Sequence, residues 1–162
     1  MGTIWSNSDG LRVHFGTRRV GEEGNFGEGA APTGYDKTLV IDLAGADFAS
    51  NTYTGTTFAL KAGATVRSVT VEVTEVFALG GTTPVINIGV SGAEGTNRVA
   101  QISEAQAEAV GTYAITPAGT LAANTPLASN STLNVALGGT SPTVTSAGKL
   151  RCVVNYTDLS PV

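Results

Sequence analysis

The chain has 162 residues, enough for one domain with a real core, and carries a net charge of −4 with only 14% charged residues, against about 25% in an average soluble domain. This acidic, charge-poor balance excludes binding of nucleic acid by phosphate neutralisation, and no apolar run approaches the ~18 residues of a bilayer-spanning helix. Cys152 is the only cysteine, which excludes an intrachain disulfide.

The first ten residues lack the charged and apolar regions of a signal peptide, so synthesis in a cytoplasm is expected. Leu11-Arg12-Val13-His14-Phe15 alternates apolar and polar side chains and predicts a short strand. The segment from Gly21 to Gly29, which also holds Gly24, Gly27, Glu22, Glu23 and Glu28, is flexible by composition. The expected organisation is an N-terminal arm and glycine-rich tether over 1–36, followed by a β-sandwich domain over 37–162.

From Thr38 onward, strand patterns follow one another at short spacing. Thr38–Leu43 places Leu39, Ile41 and Leu43 on one face, and Thr57–Leu60 is a brief strand ending in a turn over Lys61–Ala64. Val69–Thr74 is the clearest strand, with Val69, Val71 and Val73 inward and Thr70, Glu72 and Thr74 outward. Its phase shifts at Val76, which predicts a bulge near 74–76. Gly80-Gly81-Thr82-Thr83 has the composition of a turn, and Pro84–Val90 forms the next strand. Residues 103–110 are the one helical candidate. Ser103 can cap it, but glutamate follows one residue later and not three, so no capping box is expected. Tyr113–Thr116, Leu133–Leu137 (closed by Gly138-Gly139) and Leu150–Thr157 complete the set. No internal repeat is evident. Seven or eight short strands separated by Gly, Pro and Ser turns predict an all-β sandwich, with a jelly roll favoured.

The chain offers little for chemistry. His14 is the only histidine, so any histidine-dependent catalysis has to use it, and its flanking Val13 and Phe15 suggest a surface or interface residue instead. Cys152 alternates with core positions and reads as a buried thiol. Asp36, Asp42 and Asp47 lack the spacing of a calcium loop, and Glu72 with Glu75 reads as a solvated sheet surface and not as a glycosidase pair. The glycines at 21–29 do not have phosphate-loop spacing. No catalytic residue, metal site or cofactor is predicted. Asn130-Ser131-Thr132 and Asn155-Tyr156-Thr157 match glycosylation sequons and are read as chance matches. Trp5 stands out as the lone tryptophan in a polar stretch. It packs back on its own domain or anchors in a partner, and Arg18-Arg19 near Phe15 adds the other residue type common in binding hot spots.

Three stretches resemble bacteriophage virion proteins: Leu60–Phe77, with its L-x-A-G-A-x-V turn leading into a V-T-E-x-F strand end; Thr83–Gly89; and the closing Gly148–Tyr156. Asp9–Gly16 is similar to the opening of small phage head proteins. The resemblance is to small capsid decoration (cement) proteins, and it spans the chain in patches. It implies a homotrimer on the outer capsid surface of the virion, with the major capsid protein as partner and with no role for nucleic acid or membrane. Together with the strand-addition mode of binding, it marks Trp5, Leu11, Val13, Phe15, Arg18 and Arg19 as candidate capsid-binding arm residues. The competing readings are a receptor- or carbohydrate-binding module of a head fibre or tail, another virion component such as a tail or connector protein, and, least favoured, a glycan hydrolase.

Overall fold

Period-two alternation of β-branched and polar residues generates strands along most of the chain. The computed structural model describes residues 3–6, 12–15, 35–145 and 147–158. In chain order the strands are β1 (Thr3–Ser6), β2 (Arg12–Phe15), β3 (Tyr35–Ala44), β4 (Phe48–Ala49), β5 (Thr52–Tyr53), β6 (Phe58–Leu60), β7 (Thr65–Glu75), β8 (Leu79–Val90), β9 (Arg98–Ser103), β10 (Gly111–Ile115), β11 (Ser131–Val144) and β12 (Lys149–Asp158). A single helical turn, α1 (Glu104–Ala107), follows β9.

Eight of these strands form two four-stranded sheets, in the orders β10-β7-β12-β3 and β6-β11-β8-β9. The pairing is that of one long antiparallel ribbon, β3 with β12, β6 with β11, β7 with β10 and β8 with β9. The ribbon is folded over so that β12 also meets β7 and β11 also meets β8. This is the strand order of an eight-stranded jelly roll, the architecture favoured from sequence. Between the sheets lie Ile41, Val71, Val73, Cys152 and Val154 from the first and Ile86, Ile88, Val99, Ile102 and Leu133 from the second, all fully buried. Phe77 and Leu121, from the connections, close the ends of the core.

The inward positions predicted for β3, β7 and β12 hold, and the expected bulge is present: Lys149 pairs with Glu75 while Leu150 pairs with Val73, so Thr74 is the extra residue. Four expectations are corrected. Gly80–Thr83 is not a turn but part of β8, and β11 does not stop at Gly138-Gly139 but runs to Val144. The two glycine segments pair with each other, Thr140 opposite Thr82 and Thr143 opposite Gly80. An internal repeat is thereby visible after all: Gly80-Gly81-Thr82-Thr83-Pro84 faces Gly138-Gly139-Thr140-Ser141-Pro142 across the ladder. Each strand carries one extra residue there, so the two bulges cancel and the register is restored beyond them. Proline, which cannot donate to a ladder, sits at each bulge. Finally, Ser103 does form a capping box, with Gln106 in place of glutamate: Gln106 Oε1 accepts from Ser103 N at 3.0 Å, and Ser103 Oγ accepts from Gln106 N at 3.4 Å.

The bulge pair has matched backbone demands. Gly81 and Gly139 sit at φ +109° and +111°, and Thr83 and Ser141 both at φ +50°. A Cβ on Gly81 would lie 2.7 Å from the Ser141 carbonyl oxygen, and one on Gly139 would lie 2.7 Å from that of Thr83. Gly81→Ala or Gly139→Ala is therefore expected to cost at least about 2 kcal/mol, from the left-handed penalty plus the clash. Thr83→Gly or Ser141→Gly is expected to be neutral or to stabilise by up to about 1 kcal/mol, because strain at φ > 0 is relieved. Urea unfolding of the four variants checks both signs.

Candidate interaction surface

At the N-terminus, β1 and β2 pair antiparallel, with Trp5 opposite Val13, Thr3 opposite Phe15, Ile4 opposite His14 and Ser6 opposite Arg12. Directly opposed positions share a face, so the register gathers Trp5, Val13 and Phe15 on one side of a hairpin. Three of the six candidate arm positions are thus brought together, while Leu11, Arg18 and Arg19 lie outside the described residues. The strand expected over Leu11–Phe15 is observed over Arg12–Phe15. Its partner Thr3–Ser6 was not expected, although Ile4 and Trp5 suit a strand and the turn-forming Ser8-Asp9-Gly10 follows.

On the body, the two outward sheet faces differ. The face of β6-β11-β8-β9 is partly roofed by the connection 91–97: a Cβ on Gly89 would lie 2.4 Å from the Asn97 carbonyl oxygen, and Asn134 Nδ2 donates to Glu94 Oε1 at 3.3 Å. Asn87 is buried there and accepts from Gln101 Nε2 at 3.0 Å. The face of β10-β7-β12-β3 is open and organised in rows across the strands. One row is polar and bonded to itself, with Thr38 donating to Asn155 Oδ1 at 3.0 Å and Asn155 Nδ2 donating to Ser68 Oγ at 3.1 Å. The next is Val40, Val153, Thr70 and Ala114, apolar but for one hydroxyl, with Val40 45% exposed. The third is Asp42, Arg151, Glu72 and Thr112.

Two ion pairs form within this face. Arg151 donates to both Asp42 oxygens, at 2.7 and 3.3 Å, and Lys149 pairs with Glu75 at 3.0 Å. The hydrogen bond from Arg151 holds the Asp42 carboxyl below its usual range. A shallow open depression of about 440 Å³ at this end is lined by Asp42, Asp47, Glu72, Lys149 and Arg151 among others. Asp47 accepts from the Ala44 amide at 2.8 Å, and Asp36 accepts from Thr157 Oγ1 at 3.3 Å, so the three aspartates are dispersed among separate partners. Glu75, bound to Lys149, is not poised with Glu72 as an acid–base pair. Among the described residues no group of three or more His, Cys, Asp or Glu converges to hold a metal, and no helix is long and apolar enough to cross a membrane.

Three tyrosines lean on the core. Tyr53, Tyr113 and Tyr156 pack against the core, and Tyr53 meets Phe48 edge-to-face at 5.6 Å between centroids. Among the described residues these three form no exposed stacking platform. The sequon asparagines serve the fold: Asn130 Oδ1 accepts from the Ala62 amide at 2.9 Å, and Asn155 belongs to the polar row.

The sheet edges also differ. β6 is three residues long, β10 is five, and β9 is bridged at Arg98 by Ala118 through two backbone hydrogen bonds of 3.1 and 2.8 Å. β3 presents ten residues, and among the described residues no strand pairs with its outer side.

Two outcomes are expected. Arg151→Ala raises the pH at which Asp42 titrates, read from its carboxyl carbon shift. Because the Asp42 pKa is depressed in the fold, its contribution to stability is present above the ordinary carboxylate range and fades as pH falls through the lowered value. Cys152 is fully buried and burial pushes its thiol up to about 12, so at pH 8 it stays unreactive to a thiol reagent until the protein is unfolded.

No protein-family model and no curated protein matches the chain. Among solved structures, a chain of the capsid of Ralstonia phage GP4 is similar with a TM-score of 0.49 and 17% identity, over 80% of this chain and 88% of that one. A chain of the cyanophage Pam1 capsid asymmetric unit is similar with a TM-score of 0.48 and 20% identity, over 86% of this chain and 99% of that one.

Proposed function

We propose that the chain is a non-enzymatic bacteriophage capsid decoration protein, a homotrimer that binds the outer surface of the major capsid protein shell and stabilises the head. The observation that carries this reading is the hairpin register that sets Trp5, Val13 and Phe15 on one face, ahead of a jelly-roll body. A lone two-stranded hairpin is at best marginally stable in water and needs a further strand or a covering surface. A face bearing Trp, Val and Phe positions therefore calls for a partner, and aromatic residues are frequent anchors at interfaces.

The body supports a structural role. On the open face Asp42 is held by Arg151, Glu75 by Lys149 and Asp36 by Thr157, and the sole thiol is in the core. The sequence patches that resemble decoration proteins lie on this scaffold: Leu60–Phe77 spans β7 and its lead-in turn, and Gly148–Tyr156 covers most of β12. Tyr53, Tyr113 and Tyr156, all packed on the core, leave the carbohydrate-binding reading without a stacking surface among the described residues.

Each arm would bind weakly, because ordering it costs entropy. Three arms on one trimer would act together and raise avidity by about 10²–10⁴. Deleting residues 1–30 is expected to abolish co-sedimentation with undecorated capsids while the β-sheet circular dichroism of the body is kept. Normal attachment of the truncated chain would overturn the arm model.

A further inference from the structure

The open edge of β3 is the least protected feature of the body. Sheet edges invite another strand unless they are short, bridged or guarded by free charges. β3 is ten residues long, and among the described residues nothing bridges its outer edge. Its three charged residues do not guard it, since each is bonded to β12: Lys37 Nζ lies 2.7 Å from Asp158 Oδ2, Asp42 binds Arg151, and Asp36 accepts from Thr157. In the middle of the strand, Val40 stands 45% exposed on the outward face.

The same chain carries a hairpin that is short of a third strand. Among the described residues β1 and β2 pair only with each other, with no strand on either outer edge, and the hairpin belongs to a sheet separate from β3. We propose that β2 of one copy adds antiparallel to the open edge of β3 in a second copy, extending the four-stranded sheet to six strands. The Val13 and Phe15 positions then lie beside Val40 and cover it, with Trp5 one strand farther out. Residues 16–34 can span up to roughly 60 Å when extended, ample for a neighbour.

Donor and acceptor are different surfaces, so the contact is head-to-tail and closes into a ring when the rotation allows. A ring of three uses every hairpin and every edge once, and it leaves the outer edge of β1 free toward a shell. The exchange itself needs no capsid, so its failure is distinguishable from failure of the capsid-binding reading.

The test uses the full chain without capsids. Light scattering after size exclusion is expected to give a multiple of the protomer mass. Val40→Lys is expected to weaken association at least tenfold with an unchanged melting profile, and deletion of residues 1–16 is expected to give monomers. Mixing Val13→Cys chains with Val40→Cys chains under mild oxidation is expected to yield the mixed disulfide ahead of either homodimer, with Cys152 silent in the core. A monomer at all concentrations, or an oligomer that forms no Val13→Cys to Val40→Cys cross-link, would overturn the exchange.

Discussion

The two seams at which the folded ribbon meets itself, β12 against β7 and β11 against β8, govern everything else in the molecule. Each ribbon pair on its own is a two-stranded element with apolar side chains on one face, a form that is marginal in water. Only when the seams close do the pairs become two sheets with facing apolar surfaces, and only then are Ile41, Val71 and Cys152 set against Ile86, Ile88 and Leu133 without solvent. β12 bears most of this. It lies between β3 and β7, contributes Leu150, Cys152 and Val154 to the core, and on its other face supplies Arg151, Val153 and Asn155 to the three outward rows. One strand thus sets both the interior and the open surface.

Alternation made much of this legible. Where a strand is half-buried and regular, as in β3, β7 and β12, its inward residues could be read directly from the chain, because a one-residue slip would turn every apolar side chain to water. Bulges hid the rest. β9 carries an extra residue opposite the step from Ile88 to Gly89, so Val99 and Ala100 are buried in succession and the period-two signal disappears. The two glycine pentapeptides have the composition of turns, and nothing local shows that each is the other's partner across more than fifty residues. The capping box is hidden by its glutamine: the side-chain amide of Gln106 offers the acceptor that a glutamate three residues after Ser103 would signal.

Of the candidate interaction surface, the sequence shows the residue types but not their arrangement. Trp5, Val13 and Phe15 stand out by composition, yet their sharing of a face depends on a register that pairs residue 3 with residue 15. The contrast between the two sheet faces depends on where the connection 91–97 runs, which side-chain patterning does not encode. Low overall charge acquires a physical meaning here. On the open face Asp42 and Glu75 are each paired with a cation of β12, and the rows between are valine, threonine, alanine and amide groups, so the field toward a neighbour is small.

The cancelling bulges of β8 and β11 have a consequence for how this chain can vary. A single-residue deletion within Thr82–Pro84 would remove one bulge and leave the other uncompensated, so part of the ladder would change phase and its inward side chains would exchange faces. A matching deletion within Thr140–Pro142 would restore the phase. The two segments, distant along the chain, are coupled in length: one can shorten only if the other shortens with it.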